Sequence, residues 1–275
     1  MNDLTSIPAY LMRGGTSKGL IFHKKDLPSD RNLLTENLLK IMGSPDLRQI
    51  NGLGGGTSVT SKVCIISKSL EKDVDIDYFF AQVEVDRNHV DYAPTCGNML
   101  SALGPFAIEE GLVETSNEIT KVNVKSLNTN ALITLDVPTP DRKLKYSGDF
   151  KIDGVPGTGS QILMNFKNLE GKTTGNLFPT GNTTDTFDGI NVTCFDLATS
   201  MMICDAKEFN ILGNENSKEL NNNKKLLDKI EKIRLLAGKK MGMGDVKGKV
   251  LPKVSLLSKS INENSIVSRY FTPYS

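Results

Sequence analysis

Residues 91–103 read DYAPTCGNMLSAL, and this stretch decides the fold. A polar, proline-containing segment leads to a thiol, which small and apolar residues follow without a gap. We predict that a helix begins here, with Thr95 as its N-cap and Cys96 as its first residue. Apolar residues lie on all sides of this predicted helix, which indicates a buried helix wrapped by strands.

Cys96 allows two interpretations. A thiol at a helix start feels the partial positive charge of the helix N-terminus, which favours the nucleophilic or basic thiolate. Gly97 would let a ligand come close to the backbone. The alternative is a small buried cysteine in a core helix, because free cysteine is among the most buried residue types. Position alone leaves both open.

Composition excludes several classes of protein. The 275 residues suffice for one large or two modest domains. The 33 basic and 32 acidic residues balance, so no surface for nucleic acid or an anionic membrane is indicated. No apolar run approaches the ~18 residues of a membrane span. The N-terminal residues lack the pattern of a secretion signal, so we predict a cytoplasmic protein.

The cysteines and histidines also narrow the chemistry. The four cysteines lie far apart, without the spacing of a disulfide framework or a zinc site. Neither histidine lies near a carboxylate cluster, which counts against a histidine triad or a histidine-rich metal site. The cysteines are Cys64, Cys96, Cys194 and Cys204, and the histidines are His23 and His89. Acid–base chemistry would therefore fall to lysine, cysteine or acidic side chains.

Two glycine-rich loops precede this helix. Residues 13–19, RGGTSKG, contain two adjacent glycines that can form a backbone nest for an anion, although a plain turn is the alternative. They lack the Gly-Lys-Ser/Thr ending of a P-loop. Residues 51–58, NGLGGGTS, lead into a predicted strand from Val59 to Ser67.

Lys62 is the unusual residue of that strand. Period-two alternation places it on the same face as Cys64 and Ile66, so a lysine shares a side with apolar groups. One explanation is a side chain that extends to solvent from an exposed strand end. The other is a partly desolvated lysine beside a substrate pocket, where burial favours the neutral amine that a base requires. The three glycines upstream favour the pocket, since they lose much conformational entropy unless something approaches the backbone.

The rest of the chain partly repeats this organisation. A helix is predicted from about Ser29 to Gly43, and a longer amphipathic helix from Lys218 to Leu236. The sequence Pro138-Thr139-Pro140 marks a break. We predict domains at residues 1–140 and 141–275.

Several motifs together resemble one family. They are residues 12–19 (MRGGTSKG), 52–58 (GLGGGTS) with Lys62, and 96–98 (CGN), followed by 156–159 (PGTG), 179–182 (PTGN) and 270–273 (YFTP). In this order they are similar to the 2-methylaconitate cis–trans isomerase family, or PrpF-type proteins. That family includes 3-methylitaconate Δ-isomerase and 4-oxalomesaconate tautomerase, and the similarity covers essentially the whole chain.

The resemblance implies an α+β, diaminopimelate-epimerase-like fold. Two similar domains would each curl a sheet around a central helix, which in the first domain begins near Cys96. Family members continue well past the Tyr-Phe-Thr-Pro motif. The resemblance therefore implies a second domain that stops before its central helix.

The resemblance also implies a cofactor-independent proton shift on an unsaturated di- or tricarboxylic acid. On this hypothesis Lys62 is the base and Cys96 its acid–base partner, without metal or organic cofactor. Lys18 would neutralise a substrate carboxylate. The other substrate-binding groups would be backbone N–H groups and polar side chains at Thr16, Ser17, Gly55, Thr57, Ser58, Gly97 and Asn98.

Two alternatives remain open at this point. The chain could be a non-catalytic carboxylate-binding or partner protein on the same scaffold. It could also be an amino-acid epimerase, which would need a second facing cysteine, but Cys194 and Cys204 lie in predicted strands. In each case the expected ligand is a small acid, with no nucleic acid and no membrane, and self-association is left open.

Overall fold

The computed structural model describes residues 5–260 and 265–271. The chain divides into two compact units, residues 1–168 and 169–275. Within the described residues, no helix has both the length and the apolar character needed to cross a membrane.

The first unit is a mixed sheet with two α-helices. Its strands run in the order β1-β2-β3-β4-β6-β7-β8, with β5 paired to β4. The pairs β2/β3 and β4/β6 are parallel and the other pairs are antiparallel. The elements described are β1 (Tyr10–Gly14), β2 (Ser17–His23), α1 (Arg31–Met42), β3 (Lys62–Lys68), β4 (Ile76–Val83), β5 (Val90–Asp91), α2 (Gly97–Glu109), β6 (Glu118–Ser126), β7 (Leu132–Thr139) and β8 (Leu163–Lys167), with 3-10 turns at Lys24–Asp26 and Pro140–Arg142.

Local capping sets both ends of α1, as the sequence predicts. The Asp30 side chain accepts a hydrogen bond from the backbone N–H of Leu33 at 2.9 Å. Gly43 ends the helix with a φ of 79°. The buried face of α1 packs on side chains from β2 and β3, including Leu20 and Val63. This layer covers one face of the sheet.

Helix α2 is the central element of the first unit. It contacts β1 and β2 as well as β6 and β7, so the sheet curls around it. Most of its residues are buried, and Pro105 lies within one continuous helix. This confirms the predicted wrapped helix. The predicted cap is wrong by one residue, because Cys96 is the N-cap and the Thr95 hydroxyl accepts a hydrogen bond from Ser126 Oγ at 3.4 Å instead.

The two units divide at residues 168/169 instead of the predicted 140/141. The chain beyond Pro140 returns to the first sheet, where β8 pairs antiparallel with β7. The break at the prolines is therefore a local 3-10 turn, and the units separate after β8.

The second unit is a five-stranded sheet covered by helices. Its strands have the order β13-β12-β11-β10-β9, and only β11 and β12 are parallel among these pairs. The elements described are β9 (Asp185–Phe187), β10 (Ile190–Leu197), β11 (Thr199–Asp205), a 3-10 turn (Ala206–Phe209), α3 (Ser217–Asn222), α4 (Lys224–Lys240), β12 (Lys253–Lys259) and β13 (Ile266–Phe271).

The single helix predicted from Lys218 to Leu236 is divided in two. Asn223 interrupts it with a non-helical backbone, and its side chain accepts a hydrogen bond from the N–H of Leu226 at 3.1 Å. This bond caps α4 and separates it from α3. The buried face of α4, including Ile230 and Ile233, packs in a core with β10, β11 and β12.

Candidate active site

The candidate site lies in the first unit, where β3 and β4 meet the N-terminus of α2. Lys62 is the first residue of β3 and is partly buried. Its Nζ donates a hydrogen bond to Oε1 of Gln82 at 2.6 Å. The same amine lies 5.2 Å from the centre of the Phe80 ring. Lys62 is thus held by two groups of β4.

Gln82 does more than accept from Lys62. It lies directly opposite Lys62 in the β3/β4 pair. Its Nε2 donates to the carbonyl oxygens of Ser58 and Ser61, at 3.1 and 2.9 Å. Gln82 therefore links the lysine to the loop before β3. Gln82 was not predicted from the sequence, although its place on the same strand face as Tyr78 and Phe80 is a readable signal.

Cys96 caps α2 with its thiol. Its Sγ accepts a hydrogen bond from the backbone N–H of Met99 at 3.5 Å, and the residue is 9% exposed. Negative charge on such a group is stabilised by the helix N-terminus. The thiol is largely buried while its neighbours Gly97 and Asn98 are exposed. Both sequence-based interpretations of Cys96 therefore retain a structural basis.

Tyr78 lies on the same face of β4 as Gln82 and reaches Cys96. The Tyr78 hydroxyl donates to the carbonyl oxygen of Cys96 at 3.4 Å and is also a hydrogen-bond partner of the Cys64 thiol. Burial raises the pKa of Cys64, and the Cys96 thiol raises it further, whereas Tyr78 and Lys62 act in the opposite direction. Neither Cys64 nor Tyr78 was assigned a role from the sequence.

Tyr78 remains a neutral hydrogen-bond donor in this cluster. Burial raises its pKa well above the ordinary value, and the Cys64 and Cys96 thiols raise it further. A fully buried phenol that stays protonated can orient the Cys96 backbone. Tyr78 thus fixes the position of the helix cap.

Asn98 joins the first turn of α2 to the β1–β2 turn. Its Nδ2 donates to Thr16 Oγ1 at 2.9 Å and to Ser17 Oγ at 3.4 Å. A side chain at Gly14 would lie 2.3 Å from the Asn98 carbonyl oxygen. The first glycine pair therefore allows close packing on α2, and three of the predicted binding residues come together here.

The second glycine-rich loop is also packed by the chain itself. Gln49 is buried, and its Oε1 accepts from the N–H of Gly56 while its Nε2 donates to Ser44 and Ser61. A side chain at Gly54 would lie 2.0 Å from Gln49 Oε1. The Gln49 side chain thus lies against the backbone of this glycine-rich loop. Gln49 was not predicted from the sequence.

Three predicted binding residues lie on the loop that Gln49 holds. The Gly55 N–H donates to the carbonyl oxygen of Thr60 at 3.2 Å. The Thr57 hydroxyl is a hydrogen-bond partner of the Thr60 hydroxyl, and the Ser58 carbonyl accepts from Gln82. Gly55, Thr57 and Ser58 are all exposed. Their side of the loop is therefore reachable by a ligand.

Lys18 and Gly97 differ in their access to the site. Alternation along β2 places Lys18 on the face of Leu20 and Phe22, which pack against α1, whereas Ser17 contacts Asn98 of α2. Alternation therefore places Lys18 on the α1 face of the sheet, and its role in neutralising a carboxylate stays a prediction. Beyond the adjacent residues and the backbone of its own helix, no described heavy atom lies within 4 Å of where a Cβ of Gly97 would stand, so the backbone of the first helical residue is open.

No group of three or more His, Cys, Asp or Glu side chains within residues 5–260 and 265–271 is arranged to hold a metal ion. The donors at the site are an amine, thiols, a phenol, amides and hydroxyls. Such groups can transfer protons and bind carboxylates. The chemistry of these groups therefore suits acid–base catalysis on an anionic substrate.

Comparison with known proteins agrees with this class. A family model described as PrpF protein matches residues 4–268. The chain is 44% identical over 270 residues to 4-oxalomesaconate tautomerase of Pseudomonas putida, covering 98% of this chain and 75% of that protein. It is 42% identical over 272 residues to (4E)-oxalomesaconate Delta-isomerase of Novosphingobium sp., covering 99% and 76%. The chain belongs to the PrpF protein family.

A solved structure confirms the fold class. The crystal structure of methylitaconate-delta-isomerase matches this chain with a TM-score of 0.88 at 38% sequence identity. The match covers 97% of this chain and 75% of that one. The predicted α+β, diaminopimelate-epimerase-like fold is confirmed.

Proposed function

We propose that this protein is a cofactor-independent isomerase that shifts a proton, and with it a double bond, in an unsaturated di- or tricarboxylic acid. The relatives named above are isomerases or tautomerases of such acids. The observation that carries the proposal is one face of β4, on which Gln82 holds the amine of Lys62 and Tyr78 donates to the carbonyl oxygen of Cys96.

The proposed reaction begins at a carbon-bound proton next to the double bond. A conjugated carboxylate acidifies this proton, and the neutral amine of Lys62 removes it. The electron pair then spreads over the allylic system as an enolate-like anion. A proton delivered to the other end of that system, or to the same carbon after rotation, gives the isomer. One proton is thus removed and one is returned, so the product has the composition of the substrate.

Cys96 is proposed as the acid–base partner of Lys62. Its thiol lies at the N-terminus of α2, where the helix stabilises the thiolate that remains after proton donation. Lys62 and Cys96 are both held from one face of β4, Lys62 by Gln82 and the Cys96 carbonyl oxygen by Tyr78, which supports a single site. Tyr78 fixes the Cys96 backbone.

Carboxylate binding is proposed for exposed polar groups around these residues. Asn98 and Thr16 form one set beside the open backbone of Gly97. Gly55, Thr57 and Ser58 form another on the loop that Gln82 holds. Fixed donors of this kind would stabilise the charge that develops on a carboxylate during proton removal.

Exchange in heavy water tests the proposal. Unsaturated di- and tricarboxylates, such as trans-aconitate, are incubated with the chain and followed by proton NMR. We expect vinyl and allylic proton signals to fall as deuterium enters, and new isomer signals to appear. Binding without any exchange would contradict the enzyme and favour a carboxylate-binding protein. The predicted cytoplasmic location remains a proposal.

A further inference from the structure

The second unit repeats the strand that carries Lys62. Strand β3 reads KVCIISK and strand β12 reads KVSLLSK. The two strands have the same residue at the first, second, sixth and seventh positions, and the other positions are small or apolar in both. Lys253 occupies the place of Lys62.

The two strands also hold the same place in the topology. In the first unit, β2 is followed by a 3-10 turn and α1, and β3 then pairs parallel with β2 and antiparallel with β4. In the second unit, β11 is followed by a 3-10 turn, α3 and α4, and β12 pairs parallel with β11 and antiparallel with β13. Helix α4 therefore corresponds to α1, and Lys253 to Lys62, by connection as well as by sequence.

Both lysines lie beside an aromatic ring of the next strand. Lys62 Nζ lies 5.2 Å from the centre of the Phe80 ring, and Phe80 is the strand partner of Cys64. Lys253 Nζ lies 5.3 Å from the centre of the Tyr270 ring, and Tyr270 is the strand partner of Ser255. Ser255 follows Lys253 by two residues, as Cys64 follows Lys62. Both lysines are partly buried.

Each lysine also follows a glycine-rich loop that a buried polar side chain holds. In the first unit this side chain is Gln49. In the second unit it is Arg234, which is 1% exposed and donates to the carbonyl oxygens of Val246 and Leu251. Its loop contains glycines with left-handed backbones, including Gly244 and Gly248. The same construction thus presents a lysine in both units.

We propose that Lys253 is a carboxylate-binding residue of the second unit. Among the described residues, no carboxylate lies within salt-bridge distance of its amine, although the side chain is partly buried. A cation without a neutralising partner favours an anionic ligand. The ligand class, an unsaturated di- or tricarboxylate, rests on the proposed function.

The test compares Lys253→Met with Lys259→Met in the full chain. Lys259 lies on the same strand but is exposed, so it serves as the matched control. Binding of trans-aconitate is measured by calorimetry at low salt. Because a hydrogen bond to a charged group is lost, we expect Lys253→Met to weaken binding about tenfold. Lys259→Met is expected to change binding by less than about twofold. Lys253→Arg, which keeps the charge and guards against misfolding of the methionine variant, should retain most of the affinity.

The outcomes separate this inference from the proposed function. Equal affinities of Lys253→Met and Lys259→Met would overturn the role of Lys253 even if wild-type exchange is normal. Wild-type binding without exchange would overturn the isomerase, while a selective loss in Lys253→Met would still support the binding role. Absence of wild-type binding would overturn both.

Discussion

The amine of Lys62 and the amide oxygen of Gln82 face each other across β3 and β4, 2.6 Å apart. This contact limits the rotamers of a side chain that would otherwise be long and mobile. Gln82 is in turn fixed by the backbone of Ser58 and Ser61. The lysine therefore has a defined position before any substrate binds.

Replacement of Gln82 tests this positioning. In Gln82→Leu the amine loses its partner, and we expect the exchange rate at saturating substrate to fall about tenfold or more, because small displacements of a catalytic group are costly. In Gln82→Glu a carboxylate would hold Lys62 as an ammonium ion, so exchange should fall as well. NMR exchange rates and thermal unfolding are measured together. Unchanged exchange in both variants would show that Gln82 does not position the base.

Two substitutions of Cys96 separate its structural role from its chemical role. Cys96→Ser keeps an N-cap oxygen for the N–H of Met99, so we expect the melting temperature to be retained while exchange is lost. Cys96→Ala removes the cap and should lower the free energy of unfolding by about 1 kcal/mol. Denaturant titration and NMR exchange distinguish the two effects. Normal exchange in Cys96→Ser would exclude the thiol from proton transfer.

Alanine at Gly97 should affect substrate binding, whereas alanine at Gly14 should affect stability. The new methyl group at Gly97 meets no described atom within 4 Å outside the adjacent residues and its own helix backbone, so stability should be kept. KM should rise, because the methyl group enters the space proposed for substrate. At Gly14 it would lie 2.3 Å from the Asn98 carbonyl oxygen, and stability should fall by about 1–3 kcal/mol. Urea titration and exchange kinetics check both. An unaltered KM in Gly97→Ala would show that substrate does not use this space.

The buried thiols of the second unit should make its stability fall at alkaline pH. Burial raises the pKa of Cys194 and of Cys204 to about 12. Above about pH 8.5 these thiols ionise in the unfolded chain but stay protonated in the folded one. The unfolded state then releases protons that the folded state keeps, so the free energy of unfolding falls as pH rises, by up to about 1.4 kcal/mol per pH unit for each thiol.

Denaturant titrations at pH 8 and pH 10 measure this dependence. Cys204→Ala removes one of the two thiols, so its stability should change less between these pH values than that of the wild type. Equal changes in both proteins would contradict the assignment. The comparison concerns the difference between pH values, so any loss of packing in the variant cancels.

Local signals in the sequence were sufficient for much of the fold. Asp30 and Gly43 bracket α1 because both caps depend only on neighbouring residues. The apolar run after Cys96 indicated a buried helix correctly. The cap itself was misplaced because the side chains of Thr95 and Cys96 can both accept a hydrogen bond from the first backbone N–H groups of the helix. The Thr95 hydroxyl instead accepts from the Ser126 hydroxyl on a distant strand.

The missed site residues depend on contacts between distant parts of the chain. Gln82 and Tyr78 reach the site because β3 pairs with β4. The register of that pairing could not be predicted from the sequence. The glycines at 54 and 14 gave no indication of which group approaches them, and the structure supplies Gln49 and Asn98. Lys18 was placed at the site from its motif, but the direction of its side chain follows from strand alternation once β2 begins at Ser17.

The most direct measurement is deuterium incorporation into an accepted unsaturated acid by Lys62→Met, compared with the wild type and with Lys68→Met. Lys68 lies on the same strand but is exposed, so its loss should leave exchange unchanged. We predict that Lys62→Met folds and binds the acid yet incorporates no deuterium. Wild-type incorporation by Lys62→Met would contradict the central claim that Lys62 transfers the proton.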